Sequence, residues 1–206
     1  MPNFFRIAVA ITIGVAAVAG DPVSLRAQRD AHLRNDCRLA GQVLRTGHPA
    51  PRRLWAWSVI SSCSDSAGAV LAGVWRAPAE RELAQLWGVS YRVRDARLTR
   101  AVLTAFRDPS RSRAERLTAA RVLASHAVPD LVVLESDLAR LRADSVHPPY
   151  LSVDHSDVRE GSVPVTSALV GEIREAFVAV GECDADAEVR TTARLLARQV
   201  RMHMGI

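Results

Sequence analysis

Ala114–Ala124 reads AERLTAARVLA and Ala187–Ala197 reads AEVRTTARLLA. The two segments match at seven of eleven positions, 73 residues apart. In the later copy Val189, Ala193, Leu196 and Val200 fall at i, i+4, i+7 and i+11, one apolar stripe of a helix. In the earlier copy Leu117, Ala120, Leu123 and Ala124 form the equivalent stripe. A turn precedes each. Asp108-Pro109-Ser110 and a Ser112-x-x-Glu115 capping pattern precede the first; Gly181, Asp184 and Asp186 precede the second. Upstream of each turn lies a further stripe: Leu98, Val102, Ala105 and Phe106, then Leu169, Ile173, Ala176 or Phe177, and Val180. A helix with one apolar stripe must hide it. Two such helices joined by a short polar turn therefore pack on each other and on a neighbour.

The unit extends toward the N-terminus. Pro51–Ser61 (PRRLWAWSVIS) shares Arg53, Leu54, Ala56 and Val59 with Ala114–Ala124 at an offset of 63. Gly47-His48-Pro49 separates helices predicted over 25–46 and 51–63. Ala67, Val70, Leu71, Val74 and Trp75 predict another helix, followed by Leu83, Leu86 and Trp87. Offsets of this size suit two helix pairs of roughly 30–45 residues each. Ser145–Pro164 (SVHPPYLSVDHSDVREGSVP) has no helical stripe and reads as an insertion loop over about 144–165. A short hairpin through Tyr150–Val153 and Ser162–Val165 is predicted within it. A loop of this length in a compact domain is either functional or a tolerated surface insertion.

The turn and second helix of the last unit, Asp184-Ala-Asp186-Ala-Glu188-Val189-Arg190-x-x-Ala193-x-x-Leu196, resemble those of a HEAT repeat. The 95–125 unit resembles it less, because Arg116-Leu117 stands where Val-Arg is usual, and 51–63 keeps only the apolar phase. The resemblance implies an all-α fold, a right-handed stack of antiparallel helix pairs (a HEAT-like α-solenoid). It also implies a pairing of Asp184 with Arg190 between successive units, and a habit of binding partners rather than a reaction.

Composition narrows the chemistry. The chain has 206 residues and a net charge of +5, and all 27 basic residues are Arg. Without Lys there is no Schiff-base amine, no Ser-x-x-Lys nucleophile and no phosphate-loop Lys. Residues 1–20 read as a signal peptide: Arg6, an apolar run Ile7–Val18 and a small-residue site Ala17-Val18-Ala19. The other reading of that run is an uncleaved core helix. With cleavage, 21–206 is one HEAT-like domain with no transmembrane segment, and the expected location is periplasmic or secreted. An oxidising compartment permits disulfides. Cys37 and Cys63 lie roughly 14–17 Å from the turn between their helices, nearly level, so a bond between them is expected. The alternative is two buried thiols. Cys183 is left over.

Candidate sites are sparse. His147, Asp154, His155 and Asp157 (with Glu160) crowd the insertion loop and are weak divalent-metal candidates in no known ligand spacing. Asp184-x-Asp186-x-Glu188 lacks the glycine and distant Glu of a calcium loop and is accounted for by capping. Ser125-His126 with Asp130 is a local cluster at a helix end, and no nucleophile elbow exists. Arg92–Arg121 holds nine Arg against Asp95, Asp108 and Glu115. Trp55, Trp75 and Trp87 sit at stripe positions, whereas Trp57 is off the stripe. Trp57, Arg92, Arg94, Arg97 and Arg100 are therefore the expected interaction surface. The expected function is an exported, non-enzymatic interaction or scaffold module, with no catalytic residue and no cofactor, binding another protein of the cell envelope. Two alternatives stand beside it. One is an exported hydrolase or metal-binding protein using the 145–164 loop. The other is a binder of an anionic polymer or lipid headgroup through 92–121, nucleic acid being disfavoured by export.

Overall fold

The computed structural model describes residues 22–46, 48–63, 66–129, 131–144, 146, 149–151 and 158–205, with backbone alone for 22–30. Among these residues the fold is all-α. The helices are α1 (Pro22–Arg45), α2 (Ala50–Ile60), α3 (Ala67–Val74), α4 (Leu83–Ser90), α5 (Ala96–Arg107), α6 (Arg113–Ala127), α7 (Glu135–Ala143), α8 (Ser167–Cys183) and α9 (Ala187–Met204). The only strands among them are β1 (Val93–Arg94) and β2 (Arg159–Glu160), paired in parallel.

Side-chain caps start the helices where the sequence places them. Asp95, Ser112, Thr166 and Asp186 each accept from a backbone N–H in the first turn of α5, α6, α8 and α9. Gly205, with φ of 68°, closes α9 in the left-handed conformation that glycine adopts without strain. Consecutive helices pair, α1 with α2, α3 with α4, α5 with α6 and α8 with α9. The first helices then touch in the order α1, α3, α5, α8, and the second helices in the order α2, α4, α6, α9. A single core runs between the rows, with Trp75, Phe106, Leu98, Leu123, Phe177, Ile173 and Leu196 fully buried. Phe106 and Phe177 meet edge to face, 5.4 Å between centroids, where α5 packs on α8.

Two buried arginines tie successive units together. Arg53 in α2 donates to the carbonyls of Val43, Leu44 and Thr46 at the end of α1, and its guanidinium pairs with Glu82. Arg116 in α6 donates to Phe106 O at the end of α5 (3.1 Å) and pairs with Asp184, its Nη1 3.0 Å from Oδ1. The two arginines are the residues aligned at the offset of 63. Each satisfies orphan carbonyls of its own pair and binds a carboxylate of the next. The Asp184 pairing thus differs from the expected one. Its carboxylate is taken by Arg116, and Arg190 donates only to the carbonyls of Asp184 and Ala185 within its own turn.

Cys37 and Cys63 form a disulfide with 6.0 Å between Cα atoms, and Cys183 is a free, exposed thiol. The expected hairpin in the insertion does not form. Ser162–Val165 is not a strand, and Val153 lies outside the described residues. Instead β2 pairs with β1, and Ala96 N donates to Val163 O, so the loop is bonded to the start of α5. The loop is held a second time at α9. Buried Gln199 bonds both Pro149 O (2.8 Å) and Leu151 N (3.2 Å), and Tyr150 stacks on His203. The proposed leader (1–20) and the metal candidates His147, Asp154, His155 and Asp157 lie outside the described residues.

The tryptophan assignment is corrected. Trp57 is buried and donates from Nε1 to Glu82, whereas Trp55 is 42% exposed. The inward face of α2 is Arg53, Ala56, Trp57 and Ile60. The phase is set by the buried Arg53, which periodicity of apolar residues alone does not count.

Candidate functional site

The second-helix row carries an open groove of about 1000 Å³. Its floor is Leu83 and Trp87 of α4 with Leu117 and Thr118 of α6. One side is Leu134, Leu138 and Arg142 of the α7 segment, and the other is Arg113 with Asp186 and Glu188 at the start of α9. Two of its arginines are neutralised within the groove. Arg113 pairs with Asp186 (2.6 Å) and Glu188 (3.4 Å), and Arg142 pairs with Glu188 (2.7 Å).

Arg121 differs from both. Its guanidinium lies 4.1 Å from the centroid of the Trp87 ring, and its Nε donates to Val133 O at 2.8 Å. Among the described residues no carboxylate lies within ion-pair distance of it. Burial pushes its pKa below the usual arginine range, and the charges of Glu135 and Asp137 offset part of that. Beneath it, Trp87 stacks on Tyr91 at 4.9 Å. Trp87 Nε1 and Arg142 Nε are buried without a hydrogen-bond partner among the described residues. The groove therefore combines an apolar floor with the carboxylates of Glu80, Glu135, Asp186 and Glu188 and three arginines, of which Arg121 alone forms no ion pair among the described residues.

The expected arginine surface is distributed differently. Arg94 pairs with Glu160 and donates to His126 O, and Arg97 forks onto the buried Asp95 and reaches Ser162. Both therefore hold the insertion loop against α5. Arg92 lies over the Tyr91 ring and donates to its hydroxyl, and Arg100 is exposed on α5. Asp95 is the hub of this region. A Cβ at Gly68 would fall 2.3 Å from its Cγ, and one at Gly161 2.5 Å from its Cβ, so only glycine permits the approach from either side.

Ser125-His126 is structural. The His126 ring is fully buried, with Nε2 3.0 Å from Ser90 O and Nδ1 2.8 Å from Thr99 Oγ1. A carbonyl only accepts, which assigns the proton of the neutral ring to Nε2 and leaves Nδ1 facing the Thr99 hydroxyl, whose proton it shares with Asp95 O at 2.9 Å. Burial, aided by the Arg94 charge, pushes the imidazole pKa down to about 4 and keeps it neutral. The neighbouring Ser125 hydroxyl is itself buried and bonds Arg121 O. Asp184 and Asp186 accept backbone N–H groups at the start of α9, the capping that the sequence implies, and Asp184, Asp186 and Glu188 also form ion pairs with Arg116, Arg113 and Arg142 that the sequence does not announce. Among the described residues no group of three His, Cys, Asp or Glu is placed to hold a metal ion. No helix among them is long and apolar enough to cross a membrane.

The sequence reading missed the Arg121–Trp87 pair. Trp87 sat on an apolar stripe and Arg121 among eight other arginines, so neither was distinguishable. The groove wall comes from α7, whose sequence (ESDLARLRA) shows little apolar stripe beyond Leu138 and Leu141. No protein-family model, curated protein or solved structure matches the chain.

Proposed function

We propose that the chain is an exported, non-enzymatic interaction module, a short right-handed HEAT-like α-solenoid whose groove along α4, α6 and α9 takes an extended segment of another envelope protein. The observation that carries this reading is the Arg121 guanidinium, desolvated on Trp87 in an open groove, with no carboxylate of the described residues within ion-pair distance of it. A partner carboxylate at that point completes the charge, and apolar side chains on either side cover Leu83, Leu117 and Leu134. The ordered contacts within each helix row support the solenoid reading. The Cys37–Cys63 bond supports an oxidising compartment, and hence removal of the leader on export.

The test is site-specific photo-crosslinking in the producing cell. A crosslinker at Ala84 and one at Ala114, both lining the groove, are expected to trap the same envelope protein. One at Thr104, on the exposed side of α5, is expected to trap nothing, and Arg121→Glu is expected to abolish the product. Equal yields from all three positions, or an Arg121→Glu variant that crosslinks like the parent, would refute the reading. Export is checked separately by the mass of the mature protein, expected to have lost the leader at the small-residue site Ala17-Val18-Ala19.

A further inference from the structure

The last helix pair ends the stack with a face on which no described residue packs. On α8 this face carries Gly171, Arg174, Glu175, Val178 and Glu182, and with Ala197 and Arg201 of α9 these line an open groove of about 500 Å³. Val178 is 50% exposed at its centre. Among the described residues Arg174, Glu175, Glu182 and Arg201 enter no ion pair, whereas Glu188 at the start of α9 pairs with both Arg113 and Arg142.

The charges are placed symmetrically about the apolar centre. Arg174 lies four residues before Val178 and Glu182 four residues after it, roughly 6 Å along the axis in each direction. We infer that a second copy of this chain covers the face, α8 packing antiparallel on α8 of the partner about a two-fold axis at Val178. That axis sets Arg174 of each copy level with Glu182 of the other, two ion pairs per dimer, and brings the two valines together. Parallel packing would instead oppose Arg174 to Arg174 and Glu182 to Glu182. The pattern thus selects antiparallel over parallel packing of the two α8 helices, and the antiparallel arrangement about one axis closes as a two-fold dimer. Gly171 and Ala197, with no bulk beyond Cβ, leave room for the partner helix at the usual ~8–10 Å axial separation. The inference is independent of the groove on the other row.

The arrangement is testable by charge exchange and by a bond at the axis. The purified full-length protein is expected to sediment at twice the chain mass at tens of micromolar. Arg174→Glu is expected to weaken the dimer at least about tenfold, and adding Glu182→Arg is expected to restore it. Helical folding of every variant is checked by circular dichroism. In a Cys183→Ser background, Val178→Cys is expected to give a disulfide-linked dimer under mild oxidation. Facing Cα atoms on helices so spaced lie roughly 4–5 Å apart, within bonding range. Thr104→Cys in the same background is expected to give none. A monomer at every concentration, a double charge exchange that fails to restore the dimer, or equal crosslinking at positions 104 and 178 would overturn the inference.

Discussion

The first helix pair and the last are built alike and held together differently. The α8–α9 pair buries Leu169, Ile173, Phe177, Val189, Leu195, Leu196 and Val200, a row of large apolar side chains. The described part of α1–α2 buries Cys37, Ala40, Leu44, Ala56, Trp57, Ile60 and Cys63, among which small residues are frequent. Ala176 and Ala193 are buried in the last pair as well, but only the first pair adds a disulfide, which spans 26 residues and joins α1 to the end of α2. Burial of a large apolar side chain contributes about 1.5–3 kcal/mol, so one missing Phe and one missing cross-link are of comparable weight. The first pair thus has a covalent cross-link in addition to its core, whereas the last pair rests on its core, with Cys183 a free thiol.

The sharpest way to break this comparison is to remove the core of the last pair. Phe177→Ala deletes a ring that touches Phe106 across the α5–α8 junction. It is expected to destabilise the protein by about 3–5 kcal/mol in urea unfolding, with the same loss under oxidising and reducing conditions. Removing the cross-link by Cys37→Ser with Cys63→Ser is expected to cost about 3.5 kcal/mol by the loop-closure relation. That loss should vanish when parent and variant are compared in reductant. A redox-dependent Phe177→Ala effect would dissolve the distinction between the two ends.

The middle of the stack offers a third mode of attachment, sensitive to pH. His126 has a folded pKa of about 4 against an ordinary value of 6.5, so the folded state resists its protonation. Its contribution is complete above pH 6.5 and is lost progressively as pH falls from 6.5 toward 4. Over that window the unfolded chain takes up the proton and the folded chain does not. The expected loss is about 3 kcal/mol across the window, flattened in His126→Gln, and it is read by urea titrations at several pH values. A smaller effect sharpens the comparison between caps and core. Ser112→Ala removes the acceptor for Glu115 N at the start of α6 and is expected to cost about 1 kcal/mol in thermal unfolding.

Most of the architecture was legible because helical stripes and caps are local signals. Leu98 to Phe106, Leu117 to Ala124, Leu169 to Val180 and Val189 to Val200 announce their helices in the order of residues alone. The Cys37–Cys63 bond followed from equal distances to one turn. What the order of residues concealed were groups whose partners are remote. Arg53 and Arg116 look like surface charges until the carbonyls and carboxylates they bind are in place. Trp57 was misread for the same reason, because the charged Arg53 occupies the inward face of its helix. The groove depends on α7, which has too few apolar residues to declare its packing, and Arg121 is distinguished by the remote Trp87 ring and Val133 carbonyl that it meets only in the folded chain. The single β1–β2 pairing joins residues 66 apart and carries no pattern that two residues could display.

Native-state hydrogen exchange with and without reductant tests most directly whether the pairs are held by different means. Reduction is expected to collapse protection of the amides in α1 and α2 toward that of locally open segments and to leave α8 and α9 unchanged. Protection that falls evenly along the whole chain, or first in α8 and α9, would contradict the account.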